Sequence, residues 1–354
     1  MISHILDGGA GEDALVSVIE GRAIGYTRLE LRAELMGGDD DDVLDATVDL
    51  NSSFFASWIT PSISNLLLGG AGNDDLTARI SIVINDVEGP LNSFNLLSGD
   101  GGADRLEATI DVSINQWAGM SQISVGRNEL RGGEDNDVLI GRVITAGPES
   151  QPEVTVTAFS ALYGGGGNDT LTVYGGQGNT LDGGSGADLL IAGSGTDTLT
   201  GGLGVDTFHG TAADLAGDTI TDFTAGERVL VIGASASDFS FTRAGDVITL
   251  SSGESFTMVG SESLNLVALV ASGGMHILAA PALRPRPLPS GREAPALEQS
   301  ETHLGKGDTT IYEGSGWAGK EPLHGSEALH MLPSDFGTVS LSDLAQHSLS
   351  VVGG

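Results

Sequence analysis

The sequence predicts an all-β chain: a parallel β-solenoid with extended coils in its first half, a small β-rich cap and a partly disordered C-terminal tail. Three observations point there. A glycine-rich turn recurs in register along two thirds of the chain, strict apolar–polar alternation follows the turns, and the composition is wrong for helices. With 54 glycines and 5% aromatics among 354 residues, a helical or α/β globule is disfavoured, because its elements tolerate few interior glycines. A hydrophobic content of 40% still permits a core.

The turn has the form G-G-x-G-x-D-x-L. It opens with Gly8, Gly9, Gly11 and Asp13, and returns as Gly37, Gly38, Asp42, with Asp40 in the fourth place. The third copy has Gly69, Gly70, Gly72 and Asp74; the fourth has Gly99, Gly102 and Asp104, with Asp100 in the second place. Gly132, Gly133, Asp135 and Asp137 form the fifth, and Gly164, Gly165, Gly167 and Asp169 the sixth. A tight array follows: Gly183, Gly184, Gly186, Asp188, then Gly193, Gly195, Asp197, then Gly201, Gly202, Gly204, Asp206. Spacing is 29 to 33 residues in the first half and nine in the second.

The flanks keep the same register. Leucine sits two residues before the turns, from Leu6 and Leu35 to Leu199, and an apolar residue two after each aspartate, from Leu15 to Phe208. Leu76-Ala78-Ile80-Ile82-Ile84 face one way while Arg79 and Ser81 face the other; period two means strands with one buried face. Small residues at Ser17, Ala46, Ala78, Ala108 and Gly141 let two sheets approach closely. Each long repeat reads as turn, strand, variable loop, strand, and equals two nonapeptides. The turns at 8, 37, 69, 99, 132, 164, 183 and 201 therefore stack on one edge, and those at 175 and 192 on the other. The 175 turn, GGQGNTLD, is one residue short and has no aspartate in its place, which makes the second edge the poorer one.

Glycines at places one, two and four allow positive φ and close backbone approach. Carbonyls then converge with the sixth-place carboxylate. Coils stacked ~4.8 Å apart bring like charges together, at about 4 kcal/mol per pair for an effective dielectric near 20. A formal net charge of −33 makes nucleic acid and anionic membranes improbable partners and cations the expected ones. Hard divalent ions with six to eight oxygen ligands fit, Ca²⁺ before Mg²⁺. Zero cysteine excludes disulfides and thiolate sites.

At these residues the chain resembles the repeats-in-toxin (RTX) family of calcium-binding proteins, and Ala216–Ile232 is similar to the cap of serralysin-type domains. The resemblance implies several Ca²⁺ ions held by the nine turn aspartates and their glycine carbonyls, with Asp218 and Asp222 closing the last site. About seven ions are expected on the main edge and two or fewer on the other. It implies a roll over 1–210 (long coils 1–163, short coils 164–210) and a cap over 211–275. A proline-rich linker spans 276–300 and a polar tail 301–354. It also implies type I secretion to the cell exterior, with Asp335–Gly354 as the candidate uncleaved signal. Met1–Leu6 has neither the basic nor the apolar region of a cleavable signal peptide, and no apolar run approaches the ~18 residues of a membrane span. His-Glu-x-x-His, G-x-S-x-G and thiol nucleophiles are absent, and His324, Glu327 and His330 read as polar tail. No enzyme is expected. The expected function is that of a secreted roll that folds on extracellular Ca²⁺ and serves a structural or surface role. The alternative is the non-catalytic accessory module of a type I secreted hydrolase.

Overall fold

The computed structural model describes residues 1–25, 29–55, 61–84, 91–114, 122–146, 155–233, 240–271, 274–279, 301–303 and 310–312. The variable loops fall largely outside these, as do residues 280–300 of the expected linker and almost all of the tail, including Asp335–Gly354, His324, Glu327 and His330; His276–Ala279, expected at the linker's start, instead form part of a strand.

Strands come in pairs, each pair one coil. The first coil is β1 (Ile2–Ala10) and β2 (Ala14–Gly25), followed by β3 (Glu30–Asp39) and β4 (Val43–Phe55), then β5 (Ser62–Ala71) and β6 (Asp75–Ile84). Next come β7 (Asn92–Gly101) and β8 (Arg105–Ile114), β9 (Gln122–Glu134) and β10 (Val138–Ala146), and β11 (Thr155–Gly166) and β12 (Thr170–Tyr174). The narrow coils are β13 (Thr180–Gly186) with β14 (Leu189–Ile191), and β15 (Thr198–Gly204) with β16 (Thr207–Thr211); β17 (Thr219–Ile220) and β18 (Arg228–Ile232) end the series. Odd strands build one parallel sheet and even strands the other. The chain is a parallel β-solenoid.

Register confirms that wide and narrow coils are one unit. Leu6, Leu35, Leu67, Leu97, Leu130, Leu162, Leu181, Leu199 and Ile220 form one unbroken row. Leu15 through Phe208 to Val229 form the facing row. From Leu35 and Leu44 onward these rows are buried and make a single continuous core. Ala46, Ala78 and Ala108 are buried between the sheets, and a Cβ on Gly141 would lie 2.6 Å from Ser160 Cβ, which is the close sheet approach that the small residues predict.

Parallel stacking stops at the C-terminal end. β17 pairs with β21 (Ser255–Met258), which continues antiparallel to β20 (Val247–Leu250) and β19 (Phe241–Ala244). β18 pairs antiparallel with β23 (Gly274–Ala279), and that with β22 (Leu266–Ala271). Antiparallel strands cannot continue the coil, so the parallel stack ends in hairpins whose outer strands are β19 and β22.

Candidate metal centre

Each turn aspartate on the main edge is fixed by its neighbour. The Asp42 N–H donates to Asp74 Oδ1 at 2.8 Å, Asp74 to Asp104 at 2.8 Å, and Asp104 to Asp137 at 2.8 Å. The relay runs from Asp13 to Asp206 without a gap. One carboxylate oxygen is thereby used. The other, Oδ2, is buried and has no hydrogen-bond partner at Asp42, Asp74, Asp104, Asp137, Asp169, Asp188 and Asp206. An unsatisfied buried acceptor costs about 1–3 kcal/mol, more when charged. The set of these rivals the ~5–15 kcal/mol stability of a whole domain.

The glycines shape a space around that oxygen. A Cβ built on Gly8 would lie 2.7 Å from both Asp13 Oδ2 and the Gly37 carbonyl of the next coil. Gly37, Gly99, Gly132, Gly164 and Gly183 repeat that arrangement, and Gly69 and Gly201 likewise meet their own Asp Oδ2. The first-place glycine thus leaves a cradle bordered by one carboxylate oxygen and one backbone carbonyl. Its φ is not positive; only places two and four are left-handed, with glycine φ from 96° to 145°. This corrects the expectation that all three glycines serve positive φ. At places two and four, a Cβ would strike the carbonyl of the preceding coil, as at Gly70 and Gly102. Asp40, Asp100 and Asp135 adopt φ of 74°, 76° and 73° instead, a left-handed conformation that aspartate tolerates.

Burial raises the carboxyl pKa along the ladder: to about 6 at Asp104 and Asp169, and to about 7 at Asp137 and Asp188. Hydrogen bonds from backbone N–H groups oppose the shift, and adjacent aspartates add to it at Asp104, Asp137 and Asp188. Asp74 and Asp206 are raised by the same desolvation.

A second, shorter ladder occupies the opposite edge. Ser160 N–H donates to Asn179 Oδ1 at 2.8 Å, Asn179 N–H to Asp197 Oδ1 at 3.0 Å, and Asp197 N–H to Asp218 Oδ1 at 2.7 Å. Oδ2 of Asp197 and of Asp218 is again buried and unpartnered. Asn179 takes the place where this turn has no aspartate; the sign was its position two residues before Leu181, where Asp197 stands before Leu199. On this edge Gly195 is left-handed at 131°, and Ala192 stands where the main edge has its first glycine. Asp218 and Asp222 do not share one site. Asp218 belongs to the second edge, while Asp222 caps the last main-edge turn by accepting from Gly201 N–H at 2.9 Å and Gly202 N–H at 2.8 Å. Sequence reasoning also passed over Glu227, buried beside Asp206 and Asp222 with its pKa raised to about 7 by burial. Thr224 N–H and Oγ1–H hold it at 2.7 and 3.0 Å, and the Thr-x-x-Glu pattern was the available signal.

Among the described residues no three His, Asp or Glu side chains converge on a metal-sized point. Each cradle therefore offers one carboxylate per coil and otherwise backbone carbonyls. That is a hard, anionic, all-oxygen donor set, which fits calcium.

A family model for the RTX calcium-binding nonapeptide repeat matches the chain in four copies, over residues 64–79, 124–142 and 173–208. The chain carries RTX calcium-binding repeats. RTX repeats bind calcium ions, several per repeat domain. The matched segments end at residue 208, so the expected serralysin-type cap has no match. No match was found among curated proteins or among solved structures. No helix among the described residues is long and apolar enough to cross a membrane.

Proposed function

We propose that the chain is a secreted scaffold whose RTX roll folds when calcium fills the cradles between coils. The observation that carries this reading is the repeated orphan Oδ2, seven on one edge and two on the other. Residues that would hold the ions are the turn aspartates Asp13 to Asp206, Asp197 with Asp218, and the carbonyls of the first-place glycines. Calcium there would neutralise the stacked carboxylates and supply the partner that Oδ2 lacks. Because the cradle exists only when coils are stacked, binding free energy is folding free energy.

This coupling suits export. In a calcium-poor cytosol the chain remains extended by its own charge, and outside the cell, where modules of 10⁻⁴–10⁻³ M affinity are filled, it folds. Passage through a type I machinery, with the signal in the C-terminal tail, belongs to the same proposal. The work done by the folded roll is structural or surface-binding, and no catalytic constellation is assigned to it. Circular dichroism during a Ca²⁺ titration, with reversal by chelator, tests the reading. The strand signal should grow with calcium and collapse on chelation; a strand signal indifferent to chelator removes the proposal.

A further inference from the structure

Three aspartates in the main-edge turns stand where a glycine belongs. Asp40 and Asp135 take the fourth place of their turns and Asp100 the second, each in the left-handed conformation. Among the described residues they are the only non-glycine residues at positive φ. Glycine adopts this backbone freely, whereas a side chain there is strained, and such strain collects where function requires the side chain. All three belong to turns of the wide coils. The turns at 164, 183 and 201 have no charged residue in places two to five, which run from Gly165 to Asn168, Gly184 to Ala187 and Gly202 to Val205.

The charges of two of these aspartates reach the cradles. Asp104 feels both Asp100 and Asp135, Asp74 feels Asp100, and Asp137 feels Asp135. Oδ2 of Asp74, Asp104 and Asp137 is buried and unpartnered. No arginine among the described residues pairs with Asp100 or Asp135. The neighbouring Arg105 is taken by Asp75 and Glu107, and Arg131 by Glu129. The Ser98 hydroxyl that donates to Asp100 at 2.7 Å is neutral.

What such charges do depends on the state of the cradle. One calcium ion in each step would set two positive charges against the single sixth-place aspartate of each coil. An extra carboxylate beside the row is therefore repelled while the cradles are empty and attracted once they are filled. Carboxylate count is also a principal means by which proteins tune calcium affinity. We infer that Asp100 and Asp135 are counter-charges for the ions in the steps between the turns at 69 and 164, and hold them tighter than the ions of the narrow coils. The inference rests on the calcium reading above and adds to it two classes of site.

Competition of the full chain against a chromophoric chelator measures the constants. D100N/D135N removes both charges and keeps residues that tolerate the left-handed backbone. It should weaken the tightest constants about tenfold and leave the number of bound ions unchanged. Hydrogen exchange during the titration should place the loss in β8 and β10, whose calcium midpoints rise more than that of β16. D100G/D135G, which is free of strain, should lose the same affinity. Asp45→Asn, on the outer face of β4, should lose none. Unchanged tight constants in both double variants overturn the inference, as does a midpoint that rises equally in β16. A smaller ion count also overturns it, because the two aspartates would then be ligands, and so does an equal loss in D45N, which reduces the effect to net charge. A chain that binds no calcium removes this inference and the scaffold reading together; every other outcome leaves that reading standing.

Discussion

In the narrow coils, the residue two places before the sheet leucine is a turn residue: Asn179, Asp197 or Asp218 before Leu181, Leu199 or Ile220. In the wide coils the same place lies mid-strand, deep between the sheets, and is Asn65, Asn95 and Asn128, all fully buried. These asparagines form a ladder of their own. Asn65 Nδ2 donates to Asn95 Oδ1 at 2.9 Å, and Asn95 Nδ2 to Asn128 Oδ1 at 2.8 Å. Each also donates across the coil to the carbonyl of Arg79, Thr109 or Arg142. Asn128 reaches Ser160 Oγ at 3.2 Å, and Ser160 leads into Asn179. One column therefore runs from Asn65 to Asp218, core at one end and edge turn at the other. Widening a coil moves its far edge outward and leaves the old edge column inside. Aspartate suits the edge, where a cation can reach it. Inside, a charge would be stranded, whereas an amide brings its own donor and acceptor.

The largest test of this contrast is at a first-place glycine. Gly132→Ala drives a methyl into Asp137 Oδ2 and the Gly164 carbonyl. It should lower stability in calcium by about 3 kcal/mol or more, as expected for filling an obligatory space. Gly166→Ala, whose nearest neighbour is the Glu134 carboxylate at 3.2 Å, should stay within about 0.5 kcal/mol. Denaturant melts compare the two directly.

Next come the two kinds of ladder residue. Asn128→Leu strands buried polar partners and should cost about 2–3 kcal/mol whether or not calcium is present. Asp188→Asn should change sign: it destabilises in saturating calcium by removing a ligand, and stabilises the calcium-free chain by removing a buried charge. Melts with and without chelator separate these, and equal effects in both conditions for Asp188→Asn would dissolve the distinction.

Acid should imitate calcium in part. The ladder carboxyls have pKa values raised on folding, to about 6 or 7 at Asp104, Asp137, Asp169 and Asp188. Their protonated forms favour the fold, a contribution complete below the usual carboxylate pKa and lost as pH rises through those values. Without calcium, strand signal should therefore rise as pH is lowered from 8 to about 4. In saturating calcium the same acidification should bring no such gain.

The smallest effect is at the ladder's end. Asn65 Oδ1 is buried and unpartnered because Ala33 stands where the previous asparagine would be. Ala33→Asn should supply that donor and add about 1 kcal/mol, measured as a higher melting temperature.

The sequence made the apolar rows and the main-edge aspartates legible because each repeats at a fixed offset from a glycine turn. Equating one long repeat with two short ones then placed Asp188 and Asp206 on one edge and Asp197 on the other. The asparagine column escaped notice although Asn65, Asn95 and Asn128 keep the same leucine offset as Asp197. An isolated asparagine in a strand reads as outward-facing, and its burial makes sense only once the neighbouring coils are aligned to satisfy it. Asp218 and Asp222 were joined for a similar reason: four residues apart in sequence, they fall on opposite sides of β17. The cradle's true tenant, the Oδ2 left over by the backbone relay, is a three-dimensional fact with no sequence token beyond the aspartate itself.

The relay also separates what can vary from what cannot. Every coil is held by one N–H to carboxylate bond at the same edge, so its depth on the other side is unconstrained by its neighbours' registration. Strands of three to thirteen residues share that one edge. Evolution can therefore lengthen or trim a coil by inserting into its far side alone, changing the breadth of the molecule while its count of ion-binding steps stays fixed.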